Sequence, residues 1–450
     1  MSVHNLRPGT AAKPTTLWRE ARALAALGFP IVVSLAAATL IGVVDTVMIA
    51  PLGTVPLAAA SIAASVTLVF YSALYGFVSV IGVRMAEAHG RGDPNALSNA
   101  TIAGMVVATM TGVIGAGLMV ALRPALDLLG QPPEVTAIIG GYWTTMSLLL
   151  IPYAMFYALK GLFDAIDRPW LGVGLAFIAV AVNVPANYVL IHGVGDWSGL
   201  GLLGAGLASL LSQILPLILA LIILQRATGF ANARRRGAFT STELWLQLKE
   251  GTTIAIGYVA EGSAYALVGL MMGWFGAVAL AANQIVASVG AVLYMVPLGV
   301  SIAISIRIGQ AIGAEERHRL PVIGRAALAV IISWMSVVMV GILFGGPTLS
   351  ALLSSDPEVV ALAGAMFIVV AAMQVADGVQ GAMIGATRGM MDNRVPVVIT
   401  LVSYWIIGLP LGYILGFVME FGPNGVWIGY GIGVAIAATL VSGRFFSKVA

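Results

Sequence analysis

The chain has 450 residues, of which 60% are hydrophobic and 9% charged, with a formal net charge of +3. Soluble globular domains carry about 25% charged residues, so this composition excludes one and puts the chain in a lipid bilayer. It contains no cysteine, which excludes a disulfide framework and a thiolate metal site.

Residues 1–27 carry charges and no continuous apolar core, which predicts a cytoplasmic lead-in rather than a cleaved signal. Apolar runs long enough to cross a hydrocarbon core of ~30 Å then recur. They lie near 28–50, 55–83, 98–122, 134–160, 170–192 and 201–224. After a basic stretch they resume near 250–273, 278–306, 321–345, 358–388, 394–417 and 425–446. A membrane β-barrel would show alternating segments of ~10 residues instead. The expected fold is therefore an all-α polytopic membrane protein with twelve transmembrane helices. Pro30, Pro152, Pro185, Pro216, Pro297 and Pro410 fall inside spans, where proline kinks a helix and frees carbonyls.

With both termini in the cytoplasm, every Lys and Arg except Arg123 lies on the cytoplasmic side, including Arg84, Lys160, Arg168, the run Arg234-Arg235-Arg236, Arg307, Arg388 and Arg394. This bias predicts a multi-pass protein of the bacterial inner membrane with both ends inside. The net positive charge then reports topology, not nucleic-acid binding.

The chain repeats itself. Leu52-Gly-Thr-Val-Pro-Leu-Ala-Ala-Ala-Ser-Ile-Ala-Ala-Ser-Val66 resembles Phe275-Gly-Ala-Val-Ala-Leu-Ala-Ala-Asn-Gln-Ile-Val-Ala-Ser-Val289, 223 positions on, and Arg84-Met-Ala-Glu-Ala-His-Gly90 resembles Arg307-Ile-Gly-Gln-Ala-Ile-Gly313 in the same register. Pro185-Ala-Asn-Tyr188 and Gly204-Ala-Gly206 recur as Pro410-Leu-Gly-Tyr413 and Gly429-Tyr-Gly431, at 225. The expected organisation is an amino-terminal lobe over 28–224, a linker over 225–249, a carboxy-terminal lobe over 250–446 and a tail over 447–450. An even number of spans per half makes the repeat parallel, with its pseudo-two-fold axis along the membrane normal. Such lobes can rock about a mid-membrane cavity, and one chain supplies both, so a functional monomer is expected.

Three ionisable residues fall inside the spans: Asp45, Glu261 and Asp377. A charge at the bilayer centre costs ~2.5–3.5 kcal/mol even on the lenient insertion scale, so such a residue faces a watery cavity or a partner. Two or three acids in one cavity would hold a proton, a Na+ ion or an organic cation one at a time, as antiport requires. No Lys, Arg or His is expected at mid-span, so the cavity should be net negative and take cationic or zwitterionic small molecules. Tyr258, Tyr265, Met271, Met272 and Tyr294 on the same helices are candidates for cation–π and adaptable apolar contacts, beside the plain alternative of packing, and Asn283 and Gln284 are further candidates for the cavity lining.

Gly199-Leu-Gly-Leu-Leu-Gly204 has dinucleotide-motif spacing, but it follows a membrane helix and fits close helix packing instead. There is no Gly-Lys-Ser/Thr phosphate loop, no His-Glu-x-x-His motif and no nucleophile constellation. A transporter without a cofactor is expected rather than an enzyme. A flippase for lipid-linked precursors would want basic cavity residues. A membrane-embedded enzyme would cluster its polar groups at one interface, and a channel would need a pore-lining ring.

At several of these residues the chain resembles the multidrug and toxic compound extrusion (MATE) family, in its NorM branch. The resemblance rests on Val44-Asp-Thr-Val-Met48, Leu57-Ala-Ala-Ala60, Glu261, Trp274-Phe-Gly-Ala-Val-Ala-Leu-Ala-Ala-Asn-Gln284, Met295-Val-Pro-Leu-Gly299, Asp377-Gly-Val-Gln380, Gly385-Ala-Thr-Arg-Gly389 and Tyr404-Trp-Ile-Ile-Gly-Leu-Pro-Leu-Gly412. It implies a V-shaped fold of two six-helix lobes, sodium- or proton-driven efflux of drugs and dyes, a cation site at Glu261 and Asp377, and a coupling role for Asp45. Asn283-Gln284 stands where many relatives have His-Gln, and Met373 where some place a sodium-assisting tyrosine. Those departures make a proton the simpler coupling ion.

Overall fold

The computed structural model describes residues 16–128, 131–234 and 239–450. Most of the predicted lead-in, with His4, and Arg235 and Arg236 of the basic run lie outside the described residues.

Twelve helices are long and apolar enough to cross a membrane: α1 (Leu17–Leu52), α2 (Thr54–Gly90), α3 (Pro94–Ala121), α4 (Pro133–Ala165), α5 (Pro169–His192), α6 (Leu202–Arg226), α7 (Ser241–Trp274), α8 (Ala277–Gly313), α9 (Arg317–Leu353), α10 (Pro357–Gly389), α11 (Arg394–Val418) and α12 (Gly422–Val449). No strand is present among the described residues. Side-chain caps fix several starts. Thr16 accepts from the Arg19 amide, Asp93 from Asn95 and Ala96, Thr240 from Glu243, and Asp356 from Glu358. The repeat is visible in the turns: Gly53 and Gly276, 223 positions apart, both take positive φ (109° and 106°) between consecutive spans, a conformation that glycine adopts without a Cβ penalty.

Two predicted helix starts move the most. Helix α1 begins at Leu17 rather than 28 and α7 at Ser241 rather than 250. Capped, charged turns extend each helix past its apolar window, and this shortens the predicted 225–249 linker. Helix α8 is interrupted at Tyr294, three residues before Pro297, which has no amide hydrogen to give. Helix α11 changes to π-helix over Val402–Gly408 and Ile414–Val418, flanking Pro410.

The helices pack as two six-helix lobes. Helix α4 contacts α2, α3 and α6 in the first lobe, as its repeat partner α10 contacts α8, α9 and α12 in the second. Between lobes, α2 meets α7 and α8, and α1 meets α8 and α9. This interface is nearly self-complementary. Gly90 sits on the backbone of Gln310 and Gly313 on that of Glu87: a Cβ on either would come within 2.1 Å and 1.9 Å of the opposing carbonyl. Gly76 likewise sits on Ala255, and Gly299 on Val32. Each of these contacts maps onto its mate by a shift of 223 positions.

The ion pairs follow the same rule. Arg84 of α2 reaches Glu243 of α7 at 2.7 Å, and Arg307 of α8 reaches Glu20 of α1 at 3.0 Å. Both the arginines and the glutamates are 223 positions apart. Glu20 also accepts from Arg319 at 2.6 Å, and Arg84 pairs with Glu87. A two-fold interface is isologous in this way, residue i touching j while j touches i. From Thr39 and Met295 at mid-span (3.6 Å apart) these contacts run toward the ends that carry the arginines, called here the basic end.

Candidate ligand-binding cavity

A cavity lies within the second lobe, walled by apolar, aromatic and ionisable side chains. Four helix faces wall it. Helix α7 presents Ile254, Gly257, Tyr258 and Glu261, and α10 presents Asp377, Gln380, Gly381, Ile384, Thr387 and Arg388. Tyr294, Leu298 and Ser301 come from α8, and Asn393, Pro396, Val397 and Thr400 from α11 and the turn before it. Steps of three and four residues put each set on one face of its helix. The break in α8 aims Tyr294 inward, and Tyr404 in the first π segment of α11 donates to Gln380 Oε1.

Glu261 and Asp377 thus line one cavity, and Tyr258 and Tyr294 line it with them. Glu261 interacts electrostatically with both Asp377 and Arg388. The other five candidates are elsewhere. Tyr265 packs on Trp427 and Tyr430, with ring centroids at 5.8 and 6.3 Å. Asn283 accepts from Trp427 Nε1 at 3.1 Å, Met271 and Met272 belong to the core and Gln284 is exposed.

The expectation of a cavity without cations is corrected. Arg388, assigned to a cytoplasmic turn, is buried and lines the cavity, its Nη2 donating to the Tyr258 hydroxyl at 2.7 Å. It is the penultimate residue of α10, but α7, α8 and α11 pack around that end, so the end of a span is not the end of the protein interior. Lys160, likewise placed in a turn, is buried within α4 and pairs with Asp164 at 2.7 Å.

Asp45 lies apart, in the first lobe. Its Oδ1 accepts from Asn183 and Asn187 of α5 at 3.0 and 2.7 Å, and its Oδ2 from Ser209 of α6 at 2.6 Å. The two asparagines stand one turn apart around Pro185, on one face. Both are fully buried, and the Oδ1 of each has no hydrogen-bond partner. Sequence reasoning missed all three donors; two amides in an otherwise apolar run were the available signal.

Comparison with known proteins places this architecture. The sequence model of the MatE family matches residues 30–189 and 253–414, one stretch in each lobe. The chain belongs to the MATE family. It is a multi-pass membrane transporter of that family, and its likeness to individual relatives extends over nearly its whole length. It is 30% identical to a probable multidrug resistance protein NorM of Rhizobium meliloti (strain 1021), with 94% of this chain and 93% of the relative covered. It is 27% identical to the multidrug resistance protein MdtK of Edwardsiella ictaluri (strain 93-146), with 95% of each covered. Among solved structures, an outward-facing multidrug resistance MATE family transporter superimposes with a TM-score of 0.87 at 16% identity over 96% of both chains. The Vibrio cholerae MATE transporter VcmN in its bent form gives 0.85 at 19% identity, over 96% of this chain and 98% of that one. The transporter therefore keeps the fold where four residues in five have changed, which fits a scaffold fixed by helix contacts rather than by surface chemistry.

Proposed function

We propose that this transporter exports cationic amphipathic compounds across the bacterial inner membrane in exchange for H+ or Na+, by alternating access of the second-lobe cavity. The observation that carries the reading is the pair Glu261 and Asp377, from two helices, facing one cavity with the aromatic side chains Tyr258 and Tyr294. Two acids there attract an organic cation, and a proton or Na+ on the same carboxylates removes that attraction. Tyrosine faces supply cation–π contacts.

In the proposed cycle the basic end is cytoplasmic, as the charge bias of the loops supports, and the arrangement with that end closed presents the cavity outward. Entry of the coupling ion displaces substrate from the carboxylates. The lobes then rock, the basic end opens, and release of the ion lets the acids capture the next cation. Asp45, hydrogen-bonded by three donors in the first lobe, is a third acid that responds to the ion. The single chain acts as a monomer because it contains both lobes.

A flippase of lipid-linked precursors is the second reading, supported by Arg388 in the cavity wall. Two carboxylates in the same wall weigh against a phosphate-bearing cargo, since each repels it. Efflux of a fluorescent cationic dye from proteoliposomes, under separate sodium and proton gradients, tests the primary reading. Gradient-driven efflux in the wild type that is lost in Glu261→Gln/Asp377→Asn is the expected result. Unchanged efflux by the folded double variant would sink it.

A further inference from the structure

Glu250 of α7 is an acid that the repeat does not call for. It is 8% exposed, and Asn393 Nδ2 donates to its Oε2 at 2.9 Å. None of the ion pairs among the described residues includes it. A buried carboxylate with an amide for a partner and no cation is costly to keep. Its mate 223 positions back is Leu27, a core residue of α1, so a plain apolar side chain serves the same place in the matched lobe interface. Packing therefore does not account for the charge.

Its position does. Glu250, Ile254, Gly257 and Glu261 follow at steps of four and three on one face of α7, and the last three line the second-lobe cavity together with Asn393. Glu250 thus stands at the basic end of that stripe, about 16 Å along the helix from Glu261. Helix α10 carries Arg388 at the same interval, eleven residues, from Asp377. A cation coming in from the basic end is repelled by Arg388, and Glu250 supplies the opposing charge.

The cover over this stretch comes from the other lobe. Phe77 of α2 lies against Gly251, where a Cβ would come within 2.5 Å of its ring; Gly76 sits on Ala255, and Tyr75 meets the Tyr258 ring edge-on with centroids 5.2 Å apart. Parting the lobes at the basic end withdraws all three and uncovers α7 from Glu250 inward.

We propose that Glu250 is the entry carboxylate of this transporter: when the basic end opens, it takes the charged group of a cationic compound arriving from the cytoplasm and passes it inward to Glu261 and Asp377. The inference rests on the reading of the cavity as a cation site and adds to it the residue that admits the cargo. Asn393 positions the carboxylate at the cavity wall. With the basic end closed the pair is sealed under α2, so this acid is offered to one side of the membrane only.

The test measures uptake of ethidium, a monocation, and DAPI, a dication, into inside-out membrane vesicles, which present the basic end to the medium, under imposed proton and sodium gradients. Glu250→Gln keeps an acceptor for Asn393 and removes the charge. It is expected to raise KM about tenfold for ethidium, the order of one charge-assisted hydrogen bond, and further for DAPI, with a smaller change in maximal rate. Glu250→Asp should fall between the two. Because the chain has no cysteine, Glu250→Cys gives a second arm should Glu250→Gln fail to fold. An anionic methanethiosulfonate added to the medium should bring its KM back toward the wild type, and a cationic one should raise it further. An unchanged KM for both dyes in folded Glu250→Gln, or an equal response to the two reagents, would overturn the entry role and leave the cavity reading standing. A wild type that carries neither dye under either gradient would overturn both.

Discussion

Asp45 shows how much of a polar site depends on neighbours that carry no charge. Its carboxylate accepts from Asn183, Asn187 and Ser209, and a buried acceptor robbed of one donor costs about 1–3 kcal/mol. Asn187→Leu is expected to reduce efflux about tenfold in the dye assay. If Asn187 acts through Asp45, Asp45→Asn/Asn187→Leu will be no worse than Asp45→Asn alone; additive losses would assign Asn187 a separate role. The acids themselves were legible in the sequence because a charge within an apolar run is expensive and therefore conspicuous. Asparagine and serine are cheap enough to be scattered through membrane helices, and Arg388 stood at a span end, where arginine is ordinary.

Among the elements, α11 and α12 show what small residues contribute. A Cβ on Gly429 would come within 2.1 Å of the Gly412 amide nitrogen, and one on Gly433 within 2.6 Å of the Ser403 carbonyl. These helices touch backbone to backbone, as small residues permit in membranes. Gly429→Ala should destabilise the protein by ~2–3 kcal/mol, as overpacking against an unyielding backbone does, and this would read as a lower midpoint in detergent thermal unfolding. Gly443→Ala meets nothing within 4 Å and serves as the control. Pro297 and Pro410 were read as kinks from the sequence. The forms they take, a one-residue interruption at Tyr294 in α8 and paired π segments in α11, follow from which neighbours rescue the freed carbonyls, and that is a tertiary matter.

For the whole molecule, the matched ion pairs Glu20–Arg307 and Glu243–Arg84 join the lobes at the basic end. They must part for that end to open. Glu20→Gln/Glu243→Gln should therefore shift the population toward the state with the basic end apart. Spin labels at the exposed positions Asn95 and His318 would report this as a longer inter-lobe distance in the double variant, and the cysteine-free chain needs no background removal. An unchanged distance distribution would show that the glycine contacts alone hold the closure.

The sequence by itself determined the membrane class, the twelve helices, the repeat and the three acids, because each is written in local hydrophobicity or in residue order. The repeat even set the interface: once Arg84 and Arg307 are equivalent, a two-fold axis requires their partners to be equivalent also. The chemistry does not obey that symmetry. Val268 stands 223 positions after Asp45, and Ala38 the same distance before Glu261, so the acids of the two lobes have no counterparts. Only the tertiary structure decided which polar residues meet, separating Asp45 from the other two acids and bringing Arg388 to theirs. The physical reason is that a side chain's direction depends on helix phase, kinks and the neighbours packed around it, none of which local hydrophobicity records.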